Sequence, residues 1–194
     1  MESITANRWS PMLCSSCKTG TLFPTRIDNG TGPAGYQCQH CQGVLLSLAP
    51  YLDWVKGQPS LAAAEPPAAF DGESADSKAA LPCPKCHRIM LRYNVLADKA
   101  HGLDYCFHCE EVWLDAGEWQ YLKSQGLHTR INSIATEPYQ RRLREQALRD
   151  AALQRFRQSL GDAAFEQVQG FAQWLQTQQQ ADAILRYLSQ ETRR

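Results

Sequence analysis

All eight cysteines of this 194-residue chain fall into C-x-x-C pairs, and the pairs form two sets of nearly equal spacing. Cys14-Ser-Ser-Cys17 is followed after twenty residues by Cys38-Gln-His-Cys41. Cys83-Pro-Lys-Cys86 is followed after nineteen by Cys106-Phe-His-Cys109. Four soft thiolates converging from two tight turns suit a closed tetrahedral zinc site, and the two-pair spacing is a strong signal for one. The expectation is two structural Zn²⁺ ions, one held by Cys14, Cys17, Cys38 and Cys41, the other by Cys83, Cys86, Cys106 and Cys109. No thiol is left over for catalysis. Each cysteine-bearing segment has only about 40–45 residues, a size at which metal or disulfides usually supplement a core. Four disulfides are the alternative, but no apolar stretch follows Met1 to suggest export to an oxidising compartment, and zinc is favoured.

Twenty basic residues balance twenty acidic ones, so the chain lacks the basic excess usual in a non-specific nucleic-acid binder. No run approaches the roughly 20 apolar residues that span a bilayer, and a soluble, cytoplasmic protein is expected. Residues 9–57 hold the first cysteine set and 82–127 the second. Residues 58–81, rich in Ala, Pro, Ser and acids, read as a flexible linker that cannot bury enough apolar surface to order itself. Residues 128–194 shift to Gln, Arg, Ala and Leu, which favour helix.

The two cysteine segments are an internal repeat. A shift of 69 carries Cys14 onto Cys83, and a shift of 68 carries Cys38 onto Cys106, Val44 onto Val112 and Leu46 onto Leu114. Within each copy, residues such as Ile89 to Tyr105 suit short antiparallel strands. After Cys109 comes Glu110-Glu111-Val112-Trp113-Leu114-Asp115-Ala116-Gly117-Glu118-Trp119. Two C-x-x-C pairs followed by W-L-D-x-G-E resemble the small zinc ribbons of bacterial proteins in the transcription-factor-IIB-type zinc-finger family. The resemblance covers residues 83–122 well and 14–55 less well, and it implies a zinc ribbon with the cysteines as ligands. Family members commonly carry Gly shortly after the fourth cysteine. Glu111 stands there in the second copy, whereas the first has Gly43. The first copy also lacks the acidic tail, with Ser47 matching Asp115 and Pro50 matching Glu118.

Asp115 and Glu118 read as a capping box opening a short helix through Trp119, Tyr121 and Leu122, with about 1 kcal/mol at stake in an Asp115→Ala change. Ser47 is expected to cap a matching helix ending at Gly57. His40, His87 and His108 flank or interrupt the cysteine pairs, but four thiolates leave no coordination position for them. Downstream, Thr136-Glu137-Pro138 is a helix start. Tyr139, Leu143, Ala147, Phe156 and Leu160 then recur at helical spacing up to Gly161, with further amphipathic segments after it.

The fold class expected is therefore a small metal-bound α+β protein: two zinc ribbons, each with short antiparallel strands and a short helix, then an α-helical C-terminal region. The functional expectation is a non-enzymatic protein-interaction module, with Trp9, Trp54, Trp113 and Trp119 as aromatic anchors. An alternative is nucleic-acid binding, associated with transcription, through Arg88, Arg92, Tyr93 and Tyr105 of the second ribbon and Arg141, Arg142, Arg144 and Arg149 of the basic helix. A zinc-gated redox switch is a third reading. Homo-oligomerisation through the C-terminal helices is a further expectation.

Overall fold

The computed structural model describes residues 12–58, 79–97 and 101–191. Trp9 and residues 59–78 of the expected linker lie outside them. Seven strands are found among the described residues: β1 (Met12–Leu13), β2 (Thr21–Arg26), β3 (Ala34–Cys38), β4 (Val44–Ser47), β5 (Leu91–Asn94), β6 (Gly102–Cys106) and β7 (Glu111–Leu114). They form one curled antiparallel sheet in the order β1-β2-β3-β4-β7-β6-β5. The sequence did not disclose how the two cysteine-bearing halves meet. They are joined edge to edge, because β4 of the first pairs with β7 of the second.

The register of that seam is set by the repeat. Val44 pairs with Leu114, Leu45 with Trp113, Leu46 with Val112 and Ser47 with Glu111. The offset of 68 turns Val44 into Val112 and Leu46 into Leu114, so exchanging the halves maps the Val44–Leu114 pair onto Leu46–Val112. This is the geometry of a self-complementary two-fold contact, with Leu45 and Trp113 at its centre. Strand alternation then sorts the side chains to opposite faces. Val44, Leu46, Val112 and Leu114 enter one core with Tyr51, Leu122, Ile131 and Ile134. Leu45 and Trp113 enter a second core with Leu22, Leu81, Met90 and the cysteines.

Helices cover the first of these faces. α1 (Leu48–Lys56) follows β4, α2 (Glu118–Ser124) follows β7, and α3 (Ile131–Ile134) comes next. Tyr51 ties α1 to this region: its hydroxyl donates to the His128 carbonyl at 2.9 Å and accepts the Ile131 N–H at 3.1 Å. Lys123 of α2 reaches Asp28 of the first half, at 2.7 and 2.8 Å from its two oxygens. The outer edge at β5 is closed by Gln140, whose side chain accepts from Asn94 N–H and donates to Asn94 C=O. That pairing removes part of an edge otherwise open to strand addition.

Beyond these lie α4 (Glu137–Leu160), α5 (Asp162–Gln176) and α6 (Ala181–Glu191). Gly161 separates α4 from α5 with φ +78°, a backbone that glycine adopts freely. The chain divides into two compact bodies, residues 1–144 and 145–194. In the second, Phe165 is buried, whereas Leu148, Phe156, Trp174 and Leu185 are exposed. No helix among the described residues is long and apolar enough to cross a membrane.

Two stability predictions arise from the seam. A Cβ on Gly43 would lie 2.3 Å from Cζ2 of Trp113. Gly43→Ala should therefore cost about 1–3 kcal/mol through overpacking, and Trp113→Leu in the same chain should reduce that cost, as read by denaturant unfolding of the four proteins of the cycle. The hydrogen bond and charge of Lys123 hold the Asp28 carboxyl below its ordinary value. The folded state thus favours the carboxylate, a contribution present above about pH 4 and lost as pH falls through the carboxyl's folded value. Asp28→Asn should be about 1 kcal/mol less stable than the parent at pH 7, with the gap narrowing as pH falls through the carboxyl's folded value.

Candidate metal centre

Three of the four cysteine turns share one backbone hydrogen-bond pattern. In the first pair, Cys14 N–H donates to Gly20 C=O at 2.8 Å and Lys18 N–H to Cys14 C=O at 3.0 Å. Cys38 and Gln42 repeat the pattern with Gly43 C=O and Cys38 C=O, and Cys83 and His87 with Arg88 C=O and Cys83 C=O. The residue directly after the second cysteine is left-handed every time: Lys18 (φ 60°), Gln42 (62°), His87 (60°) and Glu110 (55°). None is glycine. This conformation turns the chain so that both sulfurs of a pair face inward, and for a non-glycine residue it costs on the order of 1 kcal/mol or more.

The turns gather the sulfurs into two clusters, Cys14, Cys17, Cys38 and Cys41, and Cys83, Cys86, Cys106 and Cys109, each with all sulfurs within 4.8 Å of one another. Sγ–Sγ distances include 3.6 Å for Cys14–Cys41, 3.7 Å for Cys17–Cys38 and 3.6 Å for Cys86–Cys106. A tetrahedron with metal–sulfur bonds of about 2.3 Å has edges of about 3.8 Å, so the clusters fit one ion each. All eight cysteines are free thiols, and the sulfurs stand well outside disulfide bonding distance, about 2.05 Å.

The sulfurs differ in basicity within each cluster. Burial pushes the Cys14 thiol up, and it raises Cys83 to about 11. Cys17 goes the other way: burial opposes the shift, but the N–H groups of Thr19 and Gly20 outweigh it and bring the thiol down to about 5. The backbone N–H of Arg88 similarly lowers Cys86 to about 7. One sulfur of each first pair is thereby prepared as a thiolate ligand.

Two acids from the tail are used differently from a plain capping box. Glu118 does reach back, accepting the Asp115 N–H at 2.7 Å. Helix α2, however, starts at Glu118 behind Gly117, and the Asp115 carboxylate turns the other way. Its Oδ1 accepts the Trp113 indole N–H at 2.8 Å and the Ser16 hydroxyl at 3.3 Å. Asp115 is thus a buried link between the halves, worth more than the 1 kcal/mol of a surface cap because hydrogen bonds to a charged group are the stronger ones. Ser47 also departs from capping: its hydroxyl donates to Glu111 Oε1 at 2.7 Å.

Other residues singled out in the sequence divide sharply. His40, His87 and His108 are exposed and belong to neither cluster. Trp113 and Trp119 are core residues, 1% and 3% exposed, so they cannot serve as surface anchors. Trp54 is half-buried and donates its indole N–H to Thr31 C=O. Tyr105 is likewise buried, and Arg92 pairs with Asp104 at 3.4 Å. The exposed aromatic of this region is Phe107, lying inside a cysteine turn against Tyr105 and Tyr93, with ring centroids 4.3 and 6.1 Å away. Lys85 was missed by the sequence reading: it pairs with Glu111 of its own half at 2.5 Å and crosses the seam to the Ser47 hydroxyl at 3.3 Å. Its position inside a cysteine turn gave no hint of a partner far along the chain.

Compared with protein-family models, curated proteins and solved structures, the chain matches none.

The left-handed residues give a direct test. His87→Val should lower stability by about 1–2 kcal/mol, because a β-branched residue fits φ 60° poorly. His87→Gly should be at least as stable as the parent. Metal per chain, measured by elemental mass spectrometry, should be equal in all three proteins, whereas a loss in both variants would make His87 a ligand.

Proposed function

We propose that this protein is a non-enzymatic, zinc-stabilised interaction module. One Zn²⁺ in each cysteine set holds a pair of zinc ribbons as a rigid platform for a partner protein in the reducing cytoplasm. The observation that supports it most is the closure of both donor sets. Four sulfurs complete a tetrahedron and leave no position for a water or substrate, which is the arrangement of structural rather than catalytic zinc. Neighbouring carboxylates are engaged within the fold, with Glu111 on Lys85, Asp115 on Trp113, and Glu118 on the Asp115 amide. The ribbon reading also agrees with the resemblance of residues 83–122 to the transcription-factor-IIB-type zinc-finger family. Exposed Ile89, Leu91 and Phe107 at the rim of the second half supply apolar contact area for a partner.

A second reading, nucleic-acid binding, draws on Arg141, Arg142 and Arg149, which are exposed on α4. Affinity capture of the tagged full chain from its own cells, with and without nuclease and with and without a zinc chelator, separates the two. The expected result is a protein partner that survives nuclease and is lost on chelation. Partners that vanish with nuclease would replace this reading with the second, and no reproducible partner would refute the interaction role.

A further inference from the structure

Each half of the sheet grips the first cysteine turn of the other. Ser16, between Cys14 and Cys17, donates its hydroxyl to Asp115 Oδ1 of the second half at 3.3 Å. Lys85, between Cys83 and Cys86, donates to Ser47 Oγ of the first half at 3.3 Å and to Glu111 Oε1, its strand partner, at 2.5 Å. The offset of 69 carries Ser16 onto Lys85, and the offset of 68 carries Ser47 onto Asp115. One contact is therefore made twice, once in each direction across the seam. Lys85 also lies over the Tyr36 ring of the first half, 5.5 Å from its centre. Beneath these latches, Leu45 and Trp113 pack in the same apolar cluster as Cys14, Cys38, Cys83 and Cys106.

We propose that the two cysteine sets take up metal cooperatively, with filling of one raising the affinity of the other across the β4–β7 seam. This rests on the reading that both sets bind metal. A metal entering the Cys83 set fixes the turn that carries Lys85, and Lys85 then holds Ser47 and Glu111 at the end of the seam. Strand β4 is ordered in turn, and the first set behind it has less conformational freedom left to lose. The reverse path runs from Ser16 through Asp115 and Trp113. Because such coupling is reciprocal, either site should report it.

The test is a titration of the reduced, metal-stripped full chain with Co²⁺, whose thiolate charge-transfer absorption follows occupancy, with a competing chelator setting the free ion. The parent should take up two ions with a Hill coefficient above one. Cys38→Ser with Cys41→Ser, which dismantles the first set, should weaken Co²⁺ binding at the second by about five- to a hundredfold. Ser16→Ala with Lys85→Met keeps all eight ligands and should bring the two steps toward independence. A general loss of stability would weaken the first step more than the second, because the first ion would then carry the folding cost, and would raise the Hill coefficient instead of lowering it. If the cysteine variant does not fold, the latch variant decides alone. Two ions bound independently by the parent, or unaltered cooperativity in the latch variant, overturns the proposal. Fewer than two ions bound by the parent overturns the metal reading itself, and this proposal with it.

Discussion

The antiparallel pairing of β4 with β7 is the contact on which the rest of the molecule depends. Each half alone would present that strand as an open edge, with unpaired backbone groups and apolar side chains on both faces. Pairing satisfies the edges and closes two cores together, one under the helices and one around the cysteines. A segment of about 40 residues ordinarily cannot bury enough surface to stand alone. Here two such segments supply each other's missing neighbour, as the subunits of a symmetric dimer would. Because both belong to one chain, that association is intramolecular.

The two copies have diverged at the places where the pseudo-symmetry could not be kept. Trp113 occupies one side of the axis and Leu45 the other. The larger ring lies against Gly43, where no side chain fits, which explains a glycine in the first copy on grounds of space rather than backbone freedom. The matching position in the second copy is Glu111, which pairs across the seam with Ser47 and takes the Lys85 ammonium. The residue that stands in place of the first copy's glycine thus becomes the polar anchor of the interface. Asp115 is its counterpart in the other direction, exchanging a helix-capping role for bonds to Trp113 and Ser16.

The cysteine turns show how a donor set is built at local cost. Four non-glycine residues hold a left-handed backbone so that eight sulfurs can face inward. Backbone N–H groups then lower Cys17 and Cys86, while burial raises Cys14 and Cys83. Binding free energy from a metal is the natural compensation for such turns, since in small metal-bound folds it is also folding free energy. Closed sets organise a surface instead of exposing a reactive ion. The function proposed above accordingly places recognition on the rim of the second half, at Ile89, Leu91 and Phe107.

By itself the sequence determined the two cysteine sets, the offset that relates them, the short strands within each copy and the helical tail. These are local or periodic features, written in spacing and in the alternation of apolar residues. It also placed Gly57 and Gly161 at helix ends, because glycine's preference is a property of the single residue. Tertiary structure decided what each side chain meets. Trp113 and Trp119 looked like surface anchors because aromatic character carries no sign of which face will be covered. Asp115 and Ser47 looked like caps because capping is the commonest local use of such residues, and nothing nearby in the chain announces Ser16 or Glu111. Those partners lie 99 and 64 residues away. Contacts at that separation arise only when β4 meets β7, because one strand edge can be satisfied by any chain of matching pattern and the sequence names no partner.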